Sequence, residues 1–133
     1  MRVFCKFFIF EGLCHQLNLL NHQNLSFQSY SLSKSQLICH IFSHSPVYRI
    51  GGDEFVALLT NDDYMCRNDL MSVFNNQIDH NLENGKVVVS SGMSIFDSGI
   101  DKEYDEVFAR ADKLMYDRKK ELKMRKKEFL KAN

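Results

Sequence analysis

The stretch YRIGGDEFVALL at residues 48–59 constrains the fold more than any other part of this chain. Two apolar runs, VYRI and FVALLT, flank Gly51, Gly52, Asp53 and Glu54. Glycine adopts the positive φ angles that a short hairpin demands, so we expect the two runs to pair as antiparallel strands. The acids leave two interpretations open: an ordinary hairpin turn, or the tip of a site that handles phosphate and metal.

Charged residues are distributed unevenly along the chain. Residues 1–48 carry four charged side chains, whereas the remaining 85 residues carry thirty. The 17 basic and 17 acidic side chains cancel, so the composition favours neither a nucleic-acid partner nor a membrane partner. The four cysteines show no CxxC spacing, which favours reduced thiols in a cytoplasmic protein over a zinc site. No apolar run approaches the ~18 residues that a membrane span needs, so we expect no membrane segment in this chain.

Patterning predicts the order strand, helix, hairpin, helix, strand, helix. VFCKFFIF is β-branched and aromatic enough for a strand, and residues 37–42 have helical spacing. KVVVSSGMSIF is apolar or small on both faces, which suits a central strand of a covered sheet. This order predicts an α/β fold, an α+β sandwich with helices over a mainly antiparallel sheet and an incomplete N-terminal part.

Two amphipathic helices follow the hairpin. The first is predicted to begin with Asn61 or Asp62 as its N-cap and to stop at Gly85. Its apolar stripe is Leu70, Phe74, Ile78 and Leu82. The second is DEVFARADKLMYDRKKELK, which has lysines on its outer side. Its residues predicted to face inward are Val107, Phe108, Ala111, Leu114, Met115 and Leu122.

Three motifs in this order resemble the GGDEF domain of diguanylate cyclases. RIGGDEF at 49–55 matches the signature in full, and VVVSSGMSIF at 87–96 resembles the Ser-x-Gly strand of that family. ADKLMYDRKK at 111–120 resembles its closing AD-x-x-(L/M)-Y-x-x-K helix. The resemblance divides the chain into a degenerate N-terminal part at 1–46, a GGDEF core at 47–124 and a basic tail at 125–133.

The resemblance implies a reaction in bacterial signal transduction. Two such domains, each holding GTP, face one another as a homodimer and convert two GTP into cyclic di-GMP and two pyrophosphates. It implies Mg²⁺ or Mn²⁺ as cofactor, because phosphoryl transfer requires neutralisation of the triphosphate charge. Asp53 and Glu54 are then the catalytic and metal-binding acids, and Gly51 and Gly52 let the nucleotide approach closely. By the same resemblance, Lys119 meets the terminal phosphates.

Several positions depart from the pattern of the family. Lys123 stands where the family has Arg, and it keeps the charge without the bidentate fork. Ile9 falls where the family has a metal-binding Asp, which leaves Glu11 as the only upstream acid able to complete the metal site. Asn18 lies one residue late for the guanine-reading Asn, and Lys34 stands within the place of a Gly-Asp pair.

Two hypotheses of different classes follow, because some positions match the family pattern and others depart from it. The first is a diguanylate cyclase with impaired activity, supported by the intact tip and Lys119. The second is a catalytically silent GGDEF-like module for nucleotide sensing or protein interaction, supported by the missing upstream residues. Two origins of the departures also stay open: a degenerate domain, or residues 1–46 that are not the native sequence of the family. Arg49 is expected to be a structural residue at the strand edge.

Overall fold

The computed structural model describes residues 3–9 and 33–132. The predicted order of elements is confirmed there, except that one predicted helix is two. The elements are β1 (Val3–Ile9), α1 (Lys34–Ile41), β2 (Val47–Gly51), β3 (Glu54–Leu59), α2 (Asn61–Met65), α3 (Arg67–Glu83), β4 (Val89–Ile95) and α4 (Tyr104–Ala132).

The four strands form one antiparallel sheet in the order β2-β3-β1-β4. The predicted α+β fold with a mainly antiparallel sheet is therefore confirmed. The prediction that KVVVSSGMSIF is a central strand is wrong, because β4 ends the described sheet and β1 takes the inner place. Both faces of β4 are nevertheless covered: Ser91 Oγ donates to Asn75 Oδ1 on α3, and Ser94 Oγ donates to the Val107 carbonyl on α4.

The hairpin between β2 and β3 pairs as predicted, but its backbone differs from the expectation. Neither Gly51 nor Gly52 has a positive φ angle. Arg49 pairs with Phe55 and Gly51 pairs with Glu54, so β2 holds one extra residue at this end. This bulge, rather than left-handed glycines, adjusts the strands to the turn.

The main core lies between the sheet and the layer of α1 and α3. Phe42 and Phe74 are fully buried there, with ring centroids 6.1 Å apart. The predicted stripe on α3 is confirmed at Phe74, Ile78 and Leu82, while Leu70 is half-buried. Gly85 stops the helix with φ of 65°, a conformation that glycine adopts at little cost.

The predicted start of that helix is wrong. Thr60, not Asn61 or Asp62, is the N-cap, and the chain turns at Cys66 between α2 and α3. Asp63 of α2 is buried, and its Oδ2 accepts from the His44 backbone N–H at 2.9 Å and from Ser45 Oγ at 2.7 Å. These bonds fix α2 to the α1–β2 connection.

Helix α4 covers the opposite face of β4 and β1, and it is longer than the predicted segment. Its residues Val107, Ala111, Met115 and Leu122 are buried and Phe108 is half-buried, as predicted. The prediction for Leu114 is wrong, because its side chain is 50% exposed.

Gly92 explains why fewer side chains of α4 face inward than predicted. A Cβ built on Gly92 would lie 2.1 Å from the Ala111 carbonyl oxygen and 2.5 Å from the Met115 nitrogen. The α4 backbone therefore rests directly on β4, and no room remains beneath Leu114 for its side chain.

Ion pairs hold α4 at two further points. Arg110 pairs with buried Asp101 and donates to the Ile95 carbonyl at 2.9 Å, which closes the β4–α4 connection. Arg118 and Arg125 contact Asp79 on α3 at 2.8 and 2.6 Å. Partial burial of Asp79 raises its pKa, but the two arginines outweigh that effect and leave the pKa below its usual value. Within residues 3–9 and 33–132, no helix has the length and apolarity to cross a membrane.

Candidate functional site

The hairpin tip presents its two glycines to solvent. Gly51 and Gly52 are exposed, and a Cβ built on either meets no atom within 4 Å. Arg49 Nε donates to the Gly52 carbonyl at 3.0 Å, a structural contact that braces the turn from β2. The protein itself therefore leaves open space over both glycines.

The acids of the tip are half-buried, and Glu54 faces α4. Glu54 is the first residue of β3, while Asp53 lies in the turn. A cleft of about 430 Å³ separates this part of the hairpin from α4. The residues lining it are Glu54, Ala109, Asp112, Lys113, Met115, Tyr116 and Lys119.

The cleft brings together two of the residues predicted from the sequence, Glu54 and Lys119. Asp53 and Lys123 are not among its lining residues, although Lys123 follows Lys119 by one helical turn. Its volume lies within the range of small-molecule pockets, roughly 300–1,000 Å³. A carboxylate and an ammonium group thus share one cavity of a size suited to a small charged ligand.

Asp112, Lys113 and Tyr116 also line the cleft, and no role in the site was predicted for them. The signal that could have identified Asp112 and Tyr116 is their helical spacing from Lys119, which places all three on one side of α4. Lys120 Nζ lies 4.5 Å from the centre of the Tyr116 ring. A lysine therefore packs over the aromatic ring at the rim of the cleft.

The end of β1 lies beside the tip. Phe8 pairs with Glu54 across the β1–β3 ladder, and Ile9 is the next residue, paired on its other side with Val89. The backbone register thus puts Ile9 next to the acidic turn, where the family pattern has its metal-binding Asp. Glu11 and Asn18, predicted as a metal ligand and a nucleotide-binding residue, lie outside the described residues.

The acids of the tip fit a divalent ion only in part. In the described ranges, no three His, Cys, Asp or Glu side chains converge as metal ligands. Mg²⁺ commonly binds through one or two carboxylates together with substrate phosphates and water. Asp53 and Glu54 therefore suit an ion that arrives with a nucleotide better than a free ion held by protein alone.

The fold and this site define a class: an α+β domain whose antiparallel sheet carries an acidic hairpin tip opposite a lysine on its last helix. The family model for diguanylate cyclase, GGDEF domain, matches residues 33–125, about seven tenths of the chain. The chain therefore belongs to the GGDEF-domain family. No curated protein matches it. The family match begins at the N-cap of α1 and leaves β1 outside.

Proposed function

We propose that this domain is a diguanylate cyclase whose catalysis is impaired because its first strand supplies no metal-binding carboxylate. The proposal rests on the residues that line the cleft, taken together with the pairing of β1 with β3. The cleft keeps Glu54 together with Lys119, whereas the register puts an isoleucine beside the same tip. The cleft thus supplies charged side chains for the proposed site, whereas the end of β1 beside the tip is an apolar residue, Ile9.

The retained residues would bind the triphosphate of GTP. Lys119 supplies positive charge for the terminal phosphates, and Lys123 adds charge one turn further along α4. The open space over Gly51 and Gly52 admits the nucleotide backbone. We also propose that this GTP-dependent activity is cytoplasmic.

Asp53 and Glu54 would hold the magnesium or manganese ion that accompanies GTP. When bound, this ion neutralises charge on the triphosphate. Asp53, which lies in the turn, would accept the proton of the attacking 3′-hydroxyl. Glu11 is the upstream acid that would complete this set, and Asn18 would contact guanine. Catalysis then requires a second copy that presents its own GTP.

Loss of one metal-binding carboxylate accounts for the expected impairment. Metal coordination contributes several kcal/mol of charge stabilisation in the transition state, and each ~1.4 kcal/mol corresponds to a factor of ten in rate. A site without that carboxylate therefore retains affinity for GTP, because Lys119 is untouched, and loses most of its turnover.

The test is a paired measurement of GTP binding and cyclic di-GMP formation by the purified chain with Mg²⁺. We expect GTP to bind and little product to form. Robust product that disappears in a Glu54→Ala variant would contradict the impairment and restore a fully active cyclase. Absence of both GTP binding and product would remove the proposed nucleotide site altogether.

A second candidate function is a catalytically silent module that senses GTP. The same apolar residue beside the tip favours it, since binding through Lys119 does not depend on Ile9. The two candidates differ in one observation. An impaired cyclase gives a slow but measurable rate of product formation that Glu54→Ala abolishes, whereas a silent module binds GTP and gives no product at any enzyme concentration.

A further inference from the structure

An apolar groove lies beside the nucleotide cleft, between the β2–β3 hairpin and the first turns of α4. Its volume is about 510 Å³. Tyr48, Ile50, Leu58 and Phe108 form most of its floor, and Asp105 and Asp112 lie on its α4 side. Tyr48 is 55% exposed and Ile50 is 53% exposed. We call this surface the hairpin groove.

The hairpin groove and the nucleotide cleft are continuous. Ala109 and Asp112 line both cavities, so one side of α4 faces first the groove and then the cleft. A partner seated in the groove would therefore lie next to the nucleotide. This position gives an occupant direct influence over access to Lys119.

The C-terminal end of α4 has the complementary chemistry. Leu122 is the last buried residue of the helix, and residues 123–132 continue beyond it. This segment, the α4 tail, holds five basic side chains and one acidic one. Leu130 is 65% exposed within it. The tail is thus a basic helical segment that carries an exposed apolar side chain.

The tail extends the same side of α4 that lines the cleft. Lys119, Lys123, Lys126 and Leu130 follow one another at intervals of four, three and four residues, which keeps them on one side of a helix. Asp112 lies on that side too, two turns before Lys119. Asp112 of the hairpin groove and the lysines of the α4 tail therefore lie along one side of α4.

A tail cannot reach the groove of its own chain. Both belong to one uninterrupted helix, on which residues 112 and 123 are separated by about 16 Å along the axis. A tail in the groove must come from another molecule. Since every copy has both surfaces, two copies can exchange tails reciprocally, as a twofold interface requires.

We propose that two copies of this chain associate by placing the α4 tail of each in the hairpin groove of the other. Leu130 contacts the apolar floor near Ile50, and the lysines of the tail approach Asp105 and Asp112. Apolar contact supplies the attraction at the floor, and opposite charges set the orientation. This surface differs from the nucleotide-to-nucleotide contact that catalysis requires.

The first test compares oligomeric state by light scattering and sedimentation across a concentration series. Ile50→Glu and Leu130→Glu should each raise the dimer dissociation constant by about tenfold or more, because each buries an unpaired charge in the contact. The matched controls are Val73→Glu and Ile100→Glu, whose side chains are 54% and 66% exposed elsewhere on the surface. They should leave the dimer unchanged.

The second test mixes the two deficient variants. Ile50→Glu keeps an intact tail and Leu130→Glu keeps an intact groove, so their mixture restores one of the two contacts. We expect a heterodimer that is weaker than the wild-type dimer and stronger than either variant alone. A groove-to-groove or tail-to-tail dimer would not recover on mixing, and that result would overturn the proposal.

The third test reverses charge. Asp105→Lys and Lys126→Glu should each weaken the dimer several-fold, and the double variant should recover part of the loss. Circular dichroism confirms that the variants are folded. A wild-type chain that stays monomeric over the whole series, or single reversals without effect, would overturn the proposal whatever the result with GTP.

Discussion

The start of β3 and the end of β1 are neighbours in one sheet, yet they differ in the chemistry they carry. Glu54 begins β3 and faces a cleft that holds Lys119, whereas β1 ends at Ile9. The two strands are nonetheless paired over six consecutive residue pairs. Strand pairing depends on the backbone and on packing, so the register of a sheet does not require a particular side chain at the end of a strand. The pairing of β1 with β3 therefore does not by itself report whether the proposed site is complete.

The first variant removes this difference by giving the end of β1 the carboxylate of the family pattern. Ile9→Asp should raise cyclic di-GMP formation by about a hundredfold, because it returns a carboxylate to the end of β1, next to the acidic turn, where it would share the ion that accompanies GTP. A calorimetric titration with GTP and Mg²⁺ should also show tighter binding. Ile9→Asn is the control, since it is similar in size and carries no charge. A folded Ile9→Asp variant with unchanged binding and turnover would show that the loss lies elsewhere.

The next variants compare two glycine positions, one in the packed scaffold and one at the tip. Gly92→Ala should destabilise the domain by about 3 kcal/mol, since the new methyl group would collide with the backbone of α4. Gly52→Ala should change stability by less than about 0.5 kcal/mol, because open space surrounds its position. Urea unfolding measures both. Equal losses would mean that α4 shifts easily over β4, contrary to the close contact at Gly92.

A smaller effect is expected from removing the lysine of the cleft. Lys119→Ala should weaken GTP binding by about tenfold, because it removes a charge-assisted contact to phosphate. Urea unfolding of the variant separates a loss of affinity from a loss of stability. Lys127→Ala removes an exposed lysine of the same helix outside the cleft and should leave GTP affinity unaltered. If Lys119→Ala and the wild type bound GTP equally well, the cleft would not be the nucleotide-binding site.

The smallest effect concerns acid stability and the scaffold alone. The hydrogen bond from Arg110 lowers the pKa of Asp101 from 3.8 to about 2 in the folded protein. The ionised carboxylate therefore stabilises the fold above the unfolded-state pKa, and this contribution is lost as pH falls from 3.8 towards 2. Asp101→Asn should show a shallower loss of unfolding free energy over that interval. A wild-type profile as shallow as that of Asp101→Asn would refute the contribution.

The elements that could be predicted are those whose residues repeat at a regular interval. Phe74, Ile78 and Leu82 occur every four residues, and Gly85 marks the end of their helix. The hairpin was likewise predictable, because a polar turn separates two apolar runs. Local pattern was sufficient at these positions, since the neighbours that decide the structure are close in sequence.

The remaining features depend on contacts between distant residues. The residues near Asp63 in the sequence do not indicate that it accepts hydrogen bonds from His44 and Ser45. The division between α2 and α3 was likewise not predicted from the local pattern. The exposure of Leu114 follows from Gly92 on another element. At the site, Glu54 and Lys119 line one cleft, and the roles assigned to them from the motifs stay predictions. Helical spacing puts Asp112 on the same side of α4 as Lys119, but that this side faces the hairpin follows only from how α4 packs.

The inner position of β1 has a consequence for the order in which the molecule forms. The strand precedes both of its partners along the chain, and these partners, β3 and β4, end at residues 59 and 95. Pairing across such separations closes long loops and slows folding. On the ribosome, the first strand must therefore wait, with at least one backbone edge unpaired, until most of the chain has emerged. During synthesis, we therefore expect this strand, rather than the hairpin that carries the acids, to be the part of the chain that chaperones protect.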